Sequence, residues 1–558
     1  MTDQQSTEDP ARHQRLSRRG LIKGGGAVAM GASLTGLPGV ASAQESAPDG
    51  VGSATDPGVP VPGWDRVGII EGTGGGTVPL RAPAGLLDFL DTNEYLHNME
   101  VVSFTEGIQI SGGEPLMTMW AQGAHRLIAA GTGFLDVSDP KNPFPCGQGQ
   151  IEGKHLVVYS DEVDKWLVIT SHQRTLTIPN PQYPRGKYHP EYAQEALDFD
   201  GFMGIRVYDA TDPSDLKLLS EFGTGQSGHG THHNFYDGGR FAYLDCGFDD
   251  TLRMESSERV LSNGVMIVDM SDPANVTEVS RWWVPGQRIG EEDEYHKYHW
   301  AGDQSSWTGN HGAITVPKRV EDGGTVGYGG WGRFGMYVHD LSDITNPRVY
   351  GKYENPLENA GGIPYHTVYP TVVPPGANPR LRNKVVAVYE GLEPDCREPW
   401  HTSYVLDVKD PRAPKLDGMF PRPMPHPDAP YDDFSQSRGR FSAHNCQNWV
   451  APGRMRPEIV ALTYFSAGLR LYDINNPADP TEVAYFVPAR IGEELSDYST
   501  WRRGTAENVV IEWDRNLIWL GTNHGTYCLS SPALGKPVLK PRPVTEWSVP
   551  HVNRATLR

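Results

Sequence analysis

Val265-Met266-Ile267-Val268-Asp269-Met270-Ser271-Asp272-Pro273 is the stretch that decides the fold. Four apolar residues, mostly β-branched, run into an aspartate, as a buried strand would. The Asp-Pro pair that follows sets a turn, because the short side chain bonds the local backbone and proline fixes φ. A second strand-like run comes next, Thr277-Glu278-Val279-Ser280-Arg281-Trp282-Trp283. Another precedes the motif, Arg240-Phe241-Ala242-Tyr243-Leu244.

The same pattern recurs along the chain. The other copies are Gly133-Phe134-Leu135-Asp136, Ile205-Arg206-Val207-Tyr208-Asp209, Met336-Tyr337-Val338-His339-Asp340, Tyr404-Val405-Leu406-Asp407 and Leu469-Arg470-Leu471-Tyr472-Asp473. Each runs into an Asp- or Asn-containing turn, although in the copy at Asp340 the proline arrives late, at Pro347. From Asp136 to Asp473 the mean spacing is about 67 residues, a repeat-protein signature. Four strands per repeat make a propeller blade. Residues 506–530 supply one more, with Asn508-Val509-Val510-Ile511-Glu512-Trp513, a turn at Asp514-Arg515-Asn516, then Leu517-Ile518-Trp519-Leu520. The expected fold is all-β: a single β-propeller of seven four-stranded blades, six or eight being the alternatives. Pairing of N-terminal with C-terminal strands is expected to close the ring.

The strand-plus-aspartate copies resemble the LVIVD-repeat family of β-propellers. The resemblance covers roughly residues 95–535 and speaks to fold far more than to function.

The first 43 residues read as a targeting segment. Ser17-Arg18-Arg19-Gly20-Leu21-Ile22-Lys23 resembles the twin-arginine consensus, Gly24–Val40 is weakly apolar, and Ala41-Ser42-Ala43 has the form of a cleavage site. The apolar run is too short and glycine-rich to span a bilayer stably. The expectation is export through the twin-arginine translocase to the periplasm or the exterior. That route carries folded passengers and often serves proteins that load a cofactor in the cytoplasm. Residues 44–64, rich in Pro, Gly and Ser, read as a linker. Residues 65–558 are assigned to the propeller.

The whole chain has 49 basic and 69 acidic residues, of which the leader holds five and three, so the mature part carries a net charge of −22. That balance argues against nucleic acid or an anionic membrane surface as a partner. The 63 Gly and 46 Pro point to a turn-rich chain with few long helices. The five cysteines, Cys146, Cys246, Cys396, Cys446 and Cys528, form no C-x-x-C pair, which excludes a zinc ribbon or a thioredoxin-type site. Being odd in number, they leave at least one thiol outside any disulfide.

Histidine falls at the opening of several blades, in Thr231-His232-His233-Asn234, Gly309-Asn310-His311-Gly312, Tyr365-His366-Thr367 and Ala443-His444-Asn445. Ala506-Glu507-Asn508 stands in the same register. The first strand of a propeller blade lines the central channel, so equivalent positions converge near the axis. His233, His311, His366 and His444 are therefore candidate metal ligands, and Glu507 a candidate catalytic group beside them. Converging imidazoles suit iron or copper, with zinc fitting less well. The four axial histidines of the carotenoid-cleaving oxygenases are an analogy of architecture alone. Such a histidine can also simply bond the backbone of the next blade. Competing clusters are His229 with His232 and His233, and His296 with His299 after the acidic run from Glu291 to Glu294. His524 could reach the channel mouth, and Tyr328–Phe334 could shape a pocket or pack between blades.

No G-x-S-x-G elbow, P-loop, G-x-G-x-x-G after a strand, or H-E-x-x-H occurs. This argues against bound-dinucleotide hydride transfer and removes the usual local signature of a serine hydrolase. The functional expectation is an exported metal-dependent oxidoreductase, oxidase- or oxygenase-like, acting on a small organic molecule. The alternative is a non-catalytic propeller that binds a protein or polysaccharide through its rim.

Overall fold

The computed structural model describes residues 92–540, apart from 111–118, 123–124, 174–199, 226–229, 249–262, 286, 289–290, 292–308, 355–361, 392–399, 438–439, 448–455 and 491–504. The twin-arginine segment, the linker, His229, His296, His299 and Cys396 lie outside the described residues. The strands form seven separate antiparallel sheets arranged as blades in a ring.

Blade five shows the plan. Ile363–Pro370 is innermost, followed outward by Lys384–Glu390, Tyr404–Asp407 and Lys415–Met419, each pairing with the next in chain order. Short loops favour this antiparallel meander, since each strand can turn straight back on its predecessor. In blade three the sheet Phe241–Cys246, Gly264–Asp269, Thr277–Trp282 has its inner position filled by a bridge from Phe235 to Tyr243. In blade six, Cys446 bridges Leu462 in the same way, inside Ile459–Thr463.

The repeated aspartate ends the third strand and ties down the turn. Asp136, Asp209, Asp269, Asp340, Asp407 and Asp473 each accept the backbone N–H two residues on, at 2.7–3.0 Å. A carboxylate there satisfies a donor that the turn would otherwise strand. The strand before it is buried: Val265 to Val268 are nearly inaccessible.

N-terminal strands close the ring. Glu100–Glu106 adds to the outside of blade seven, from Glu100 opposite Ser530 to Glu106 opposite Gly525. Tyr95–His97 adds to the outside of blade six, on Thr481–Val487. Blades seven and one then pack face to face through Ile128, Leu135, Val510 and Trp519. A buried ion network reinforces that seam, with Arg126 bonded to Glu512 at 2.6 Å and to Asp514 at 2.8 Å.

Trp331, from the aromatic stretch weighed above, is fully buried and meets Trp282 of blade three at 4.6 Å between rings. That part of the stretch packs between blades. Cys146, Cys246, Cys446 and Cys528 are free thiols. Among the described residues, no helix is long and apolar enough to cross a membrane.

Candidate metal centre

Among the described residues, six blades deliver a charged or imidazole side chain near the axis. Lys154 begins the inner strand Lys154–Ser160 of blade two. His233 lies just before the Phe235 bridge of blade three, and His311 just before the inner strand Gly312–Thr315 of blade four. His366 lies within the inner strand of blade five. His444 precedes the Cys446 bridge of blade six, and Glu507 is second in the inner strand Ala506–Glu512 of blade seven.

Bulges aim these side chains. In blade five Ile363 pairs with Glu390 and Thr367 with Val388, so three residues on the inner strand face one opposite. The bulge holds Tyr365 in the left-handed region at φ 52°, a costly conformation for a bulky residue. It also turns His366 toward Glu390, the last residue of the second strand. Shorter irregularities fall next to His311, between Gly312 and Thr315, and at Glu507, between Ala506 and Asn508. Bulges are a common means of re-aiming a side chain beside a functional site. Gly330 permits the close approach of blade four to this bulge, since a Cβ there would meet the Tyr365 carbonyl at 2.2 Å.

The four histidines form a continuous chain of rings. Centroids are 4.6 Å apart for His233 and His311, 4.1 Å for His311 and His366, and 5.0 Å for His366 and His444. Glu390 sits among them, its Oε2 3.1 Å from His366 Nε2 and 4.0 Å from His311 Nε2. Its Oε1 is 3.8 Å from His444 Nε2 and accepts a hydrogen bond from Arg440. Arg440 also donates to the Gly391 carbonyl at 2.8 Å. Glu507 Oε2 is 3.6 Å from His444 Nδ1.

Two triads bring their ligand atoms within 4.8 Å of one another: His311 with His366 and Glu390, and His232 with His233 and His311. The four predicted histidines thus meet, but they divide between two groups that share His311. The first triad has the better donor set for a cation. Its imidazoles are held below their ordinary pKa by burial, His311 strongly so, and are neutral with lone pairs to give. Burial alone would raise the Glu390 carboxyl, but Arg440 and His366 hold it well below the usual carboxylate range, so it is ionised. In the second triad His233 Nε2 already faces the Lys154 ammonium at 2.9 Å. A metal there would have to displace that cation.

Sequence reasoning missed Glu390, Lys154 and Arg440. Lys154 was within reach of the argument that found the histidines, since it opens blade two as they open theirs. Glu390 carries a weaker signal, a lone acid closing the otherwise apolar run Val385-Val386-Ala387-Val388-Tyr389. His524 lies in the hairpin between Leu517–Thr522 and Gly525–Ser530, where its carbonyl accepts the Gly107 N–H at 2.7 Å.

The family model for the LVIVD repeat matches residues 260–283, the third strand of blade three and the one after it. No relative was found among curated proteins. Among solved structures the chain is similar to Chaetomium thermophilum Raptor at 10% identity and a TM-score of 0.42, over 79% of this chain and 30% of that one. It is also similar to U3-55K at 10% identity and a TM-score of 0.38, covering 76% and 98% of the two chains. The C-terminal WD40 domain of Sif2 is 7% identical with a TM-score of 0.37, covering 76% and 82%.

Proposed function

We propose that the channel is the active centre of an exported, metal-dependent oxidoreductase acting on a small organic molecule. His311, His366 and Glu390 would hold the ion. The observation that carries this reading is that blades four and five contribute two neutral imidazoles and one ionised carboxylate to a single buried point. Two histidines and one carboxylate suit iron, with positions left open for other ligands. A bound iron or copper ion would supply electron transfer and a Lewis-acidic site.

The residues around the triad have separate tasks. Arg440 keeps Glu390 ionised and oriented, as partners behind a metal ligand commonly do. Glu507, whose carboxyl is pushed up by burial against the pull of Arg440, stands beside His444. His444 donates its Nδ1–H to the Glu507 backbone carbonyl at 3.0 Å, which turns Nε2 toward Glu390, 3.8 Å away. The twin-arginine motif supports loading of the ion before export.

The test is metal content. Protein folded in the cytoplasm and then exported is expected to carry about one iron or copper per chain. His366→Ala, with its β-sheet circular dichroism unchanged, is expected to lose the metal. Exported wild-type protein free of both metals, and unable to take up either, would end the enzyme reading and leave a binding propeller.

A further inference from the structure

Phe465 stands in a backbone conformation that its side chain disfavours. Its φ is 34°, in the left-handed region where a bulky residue is a costly outlier. Apart from glycine, the other described residues with positive φ are asparagine or aspartate, with the exception of Tyr365 in the bulge that aims His366. Both strained aromatics thus border the candidate centre, and strain of this kind tends to gather at functional sites. Phe465 lies in the turn that joins Ile459–Thr463 to Leu469–Asp473 of blade six. Within the turn the Tyr464 N–H donates to the Gly468 carbonyl at 2.7 Å, and the Gly468 N–H to the Phe465 carbonyl at 3.1 Å. The Phe465 carbonyl also accepts the Ala506 N–H of blade seven at 3.0 Å, so its backbone is held from two blades. The ring is fully buried. The Arg440 guanidinium lies over it, 3.7 Å from its centroid, and the His444 ring stacks on it at 4.6 Å. The next residue, Ser466, secures the Arg440 main chain. Its N–H donates to the Arg440 carbonyl at 3.1 Å, and its hydroxyl donates to the same oxygen.

We infer that Phe465 is a positioning residue of the centre: its ring holds Arg440 on Oε1 of Glu390, so that Oε2 alone is left to the ion. The inference rests on the metal reading above. The carboxylate is already divided in that way. Arg440 bonds Oε1, while Oε2 faces His366 Nε2 at 3.1 Å and His311 Nε2 at 4.0 Å. A loose guanidinium could fork across both oxygens, because its donors match a carboxylate bidentately. Stacking on an aromatic face fixes the plane of the guanidinium, and its bond to the Gly391 carbonyl at 2.8 Å anchors it at a second point. A carboxylate offered by one oxygen takes one coordination position instead of two, which keeps the others open. The need for a flat face at this place accounts for an aromatic residue where glycine or asparagine would cost less.

The experiment is titration of the full metal-free chain with cobalt(II), read by calorimetry and by the visible spectrum of the bound ion, which reports its ligand geometry. Phe465→Leu keeps an apolar filler and removes the flat face. Phe465→Met does the same and is used if the leucine variant does not fold. With the β-sheet circular dichroism of wild type, the variant is expected to bind cobalt(II) about tenfold more weakly, at the low end for partners behind a metal ligand. Its cobalt(II) bands are expected to shift, which a loss of packing alone would not cause. Because Phe465 acts through Arg440, its loss should not add to that of Arg440→Gln. In the doubly changed chain the step at Phe465 is expected to cost less than about twofold. A folded Phe465 variant with wild-type affinity and spectrum, or losses that add in full, overturns the inference and leaves the metal reading standing. Wild-type protein that takes up no cobalt(II) overturns the metal reading itself.

Discussion

His339, midway in sequence between His311 and His366, makes the chain acid-sensitive at a point outside the candidate ligand set. It occupies the third strand of blade four, where blades one and five carry Leu135 and Leu406. Its ring is fully buried, edge-on to Trp282 at 4.6 Å and 6.3 Å from Trp331 and Tyr337. Neither ring nitrogen has a hydrogen-bond partner among the described residues. Burial pushes its pKa down to about 3. The sign follows from where protons bind. Below the ordinary histidine value the unfolded chain takes up a proton that the folded chain refuses, so stability falls with pH until the folded ring also protonates. The cost approaches about 1.4 kcal/mol per pH unit once the unfolded ring is fully protonated, so going from about pH 6.5 to about pH 4.5 costs roughly 2.3 kcal/mol through this ring alone. His401, also pushed down to about 3 by burial, adds a similar share. Replacing His339 by leucine, which serves at the same place in two other blades, should flatten the acid dependence by about one proton. Near neutral pH the change should be neutral or stabilising, since two unpaired polar atoms are removed. Urea unfolding followed by tryptophan fluorescence at about pH 7 and about pH 4.5 measures this. A seven-bladed ring need not unfold in two states, so transition midpoints are the quantity to compare. Identical pH dependence in His339→Leu and wild type would refute the reasoning, for the folded ring would then be taking up its proton freely.

Two further outcomes are expected. Arg319 stitches three blades together, donating to Asp237 Oδ1 at 3.0 Å, the Asp237 carbonyl at 2.6 Å and Asp161 at 2.7 Å. Arg319→Ala leaves the buried Asp237 carboxyl, already pushed up by burial, without its partner, and should destabilise the fold by about 3–5 kcal/mol, read as a lowered denaturation midpoint. Changing Arg18 and Arg19 together to lysine should hold the uncleaved precursor in the cytoplasm, as cell fractionation would detect; a variant exported and trimmed like wild type would remove the case for the twin-arginine route.

Much of the architecture could be read from residues because its causes are local. An aspartate two residues before a stranded N–H, followed by proline, marks the end of a strand wherever it occurs, and it marked six blades from Asp136 to Asp473. The seventh followed from Leu517-Ile518-Trp519-Leu520 and the run before it. Ring closure was expected only in outline. Tyr95–His97 and Glu100–Glu106 pair with strands some 390 and 425 residues away, and nothing in their own sequence tells which blade each will join. The site divides in the same way. Histidines at the blade openings were legible, since one structural position repeats around the axis. Glu390 belongs to a second strand and reaches the axis only because the bulge at Tyr365 shifts the register beside it. A distortion of that kind leaves no periodic trace. Arg440 sits in the connection before the Ser442-Ala443-His444 opening, outside any repeated position, and acts through its bond to Glu390.

The most direct measurement is anomalous diffraction from crystals of metal-loaded protein, collected on either side of the absorption edge of iron. A single peak is expected in the channel, about 2.0–2.2 Å from a ring nitrogen of His311, a ring nitrogen of His366 and a carboxylate oxygen of Glu390. A channel with no anomalous density in protein that carries stoichiometric iron, or a peak bound by other residues, would contradict the assignment.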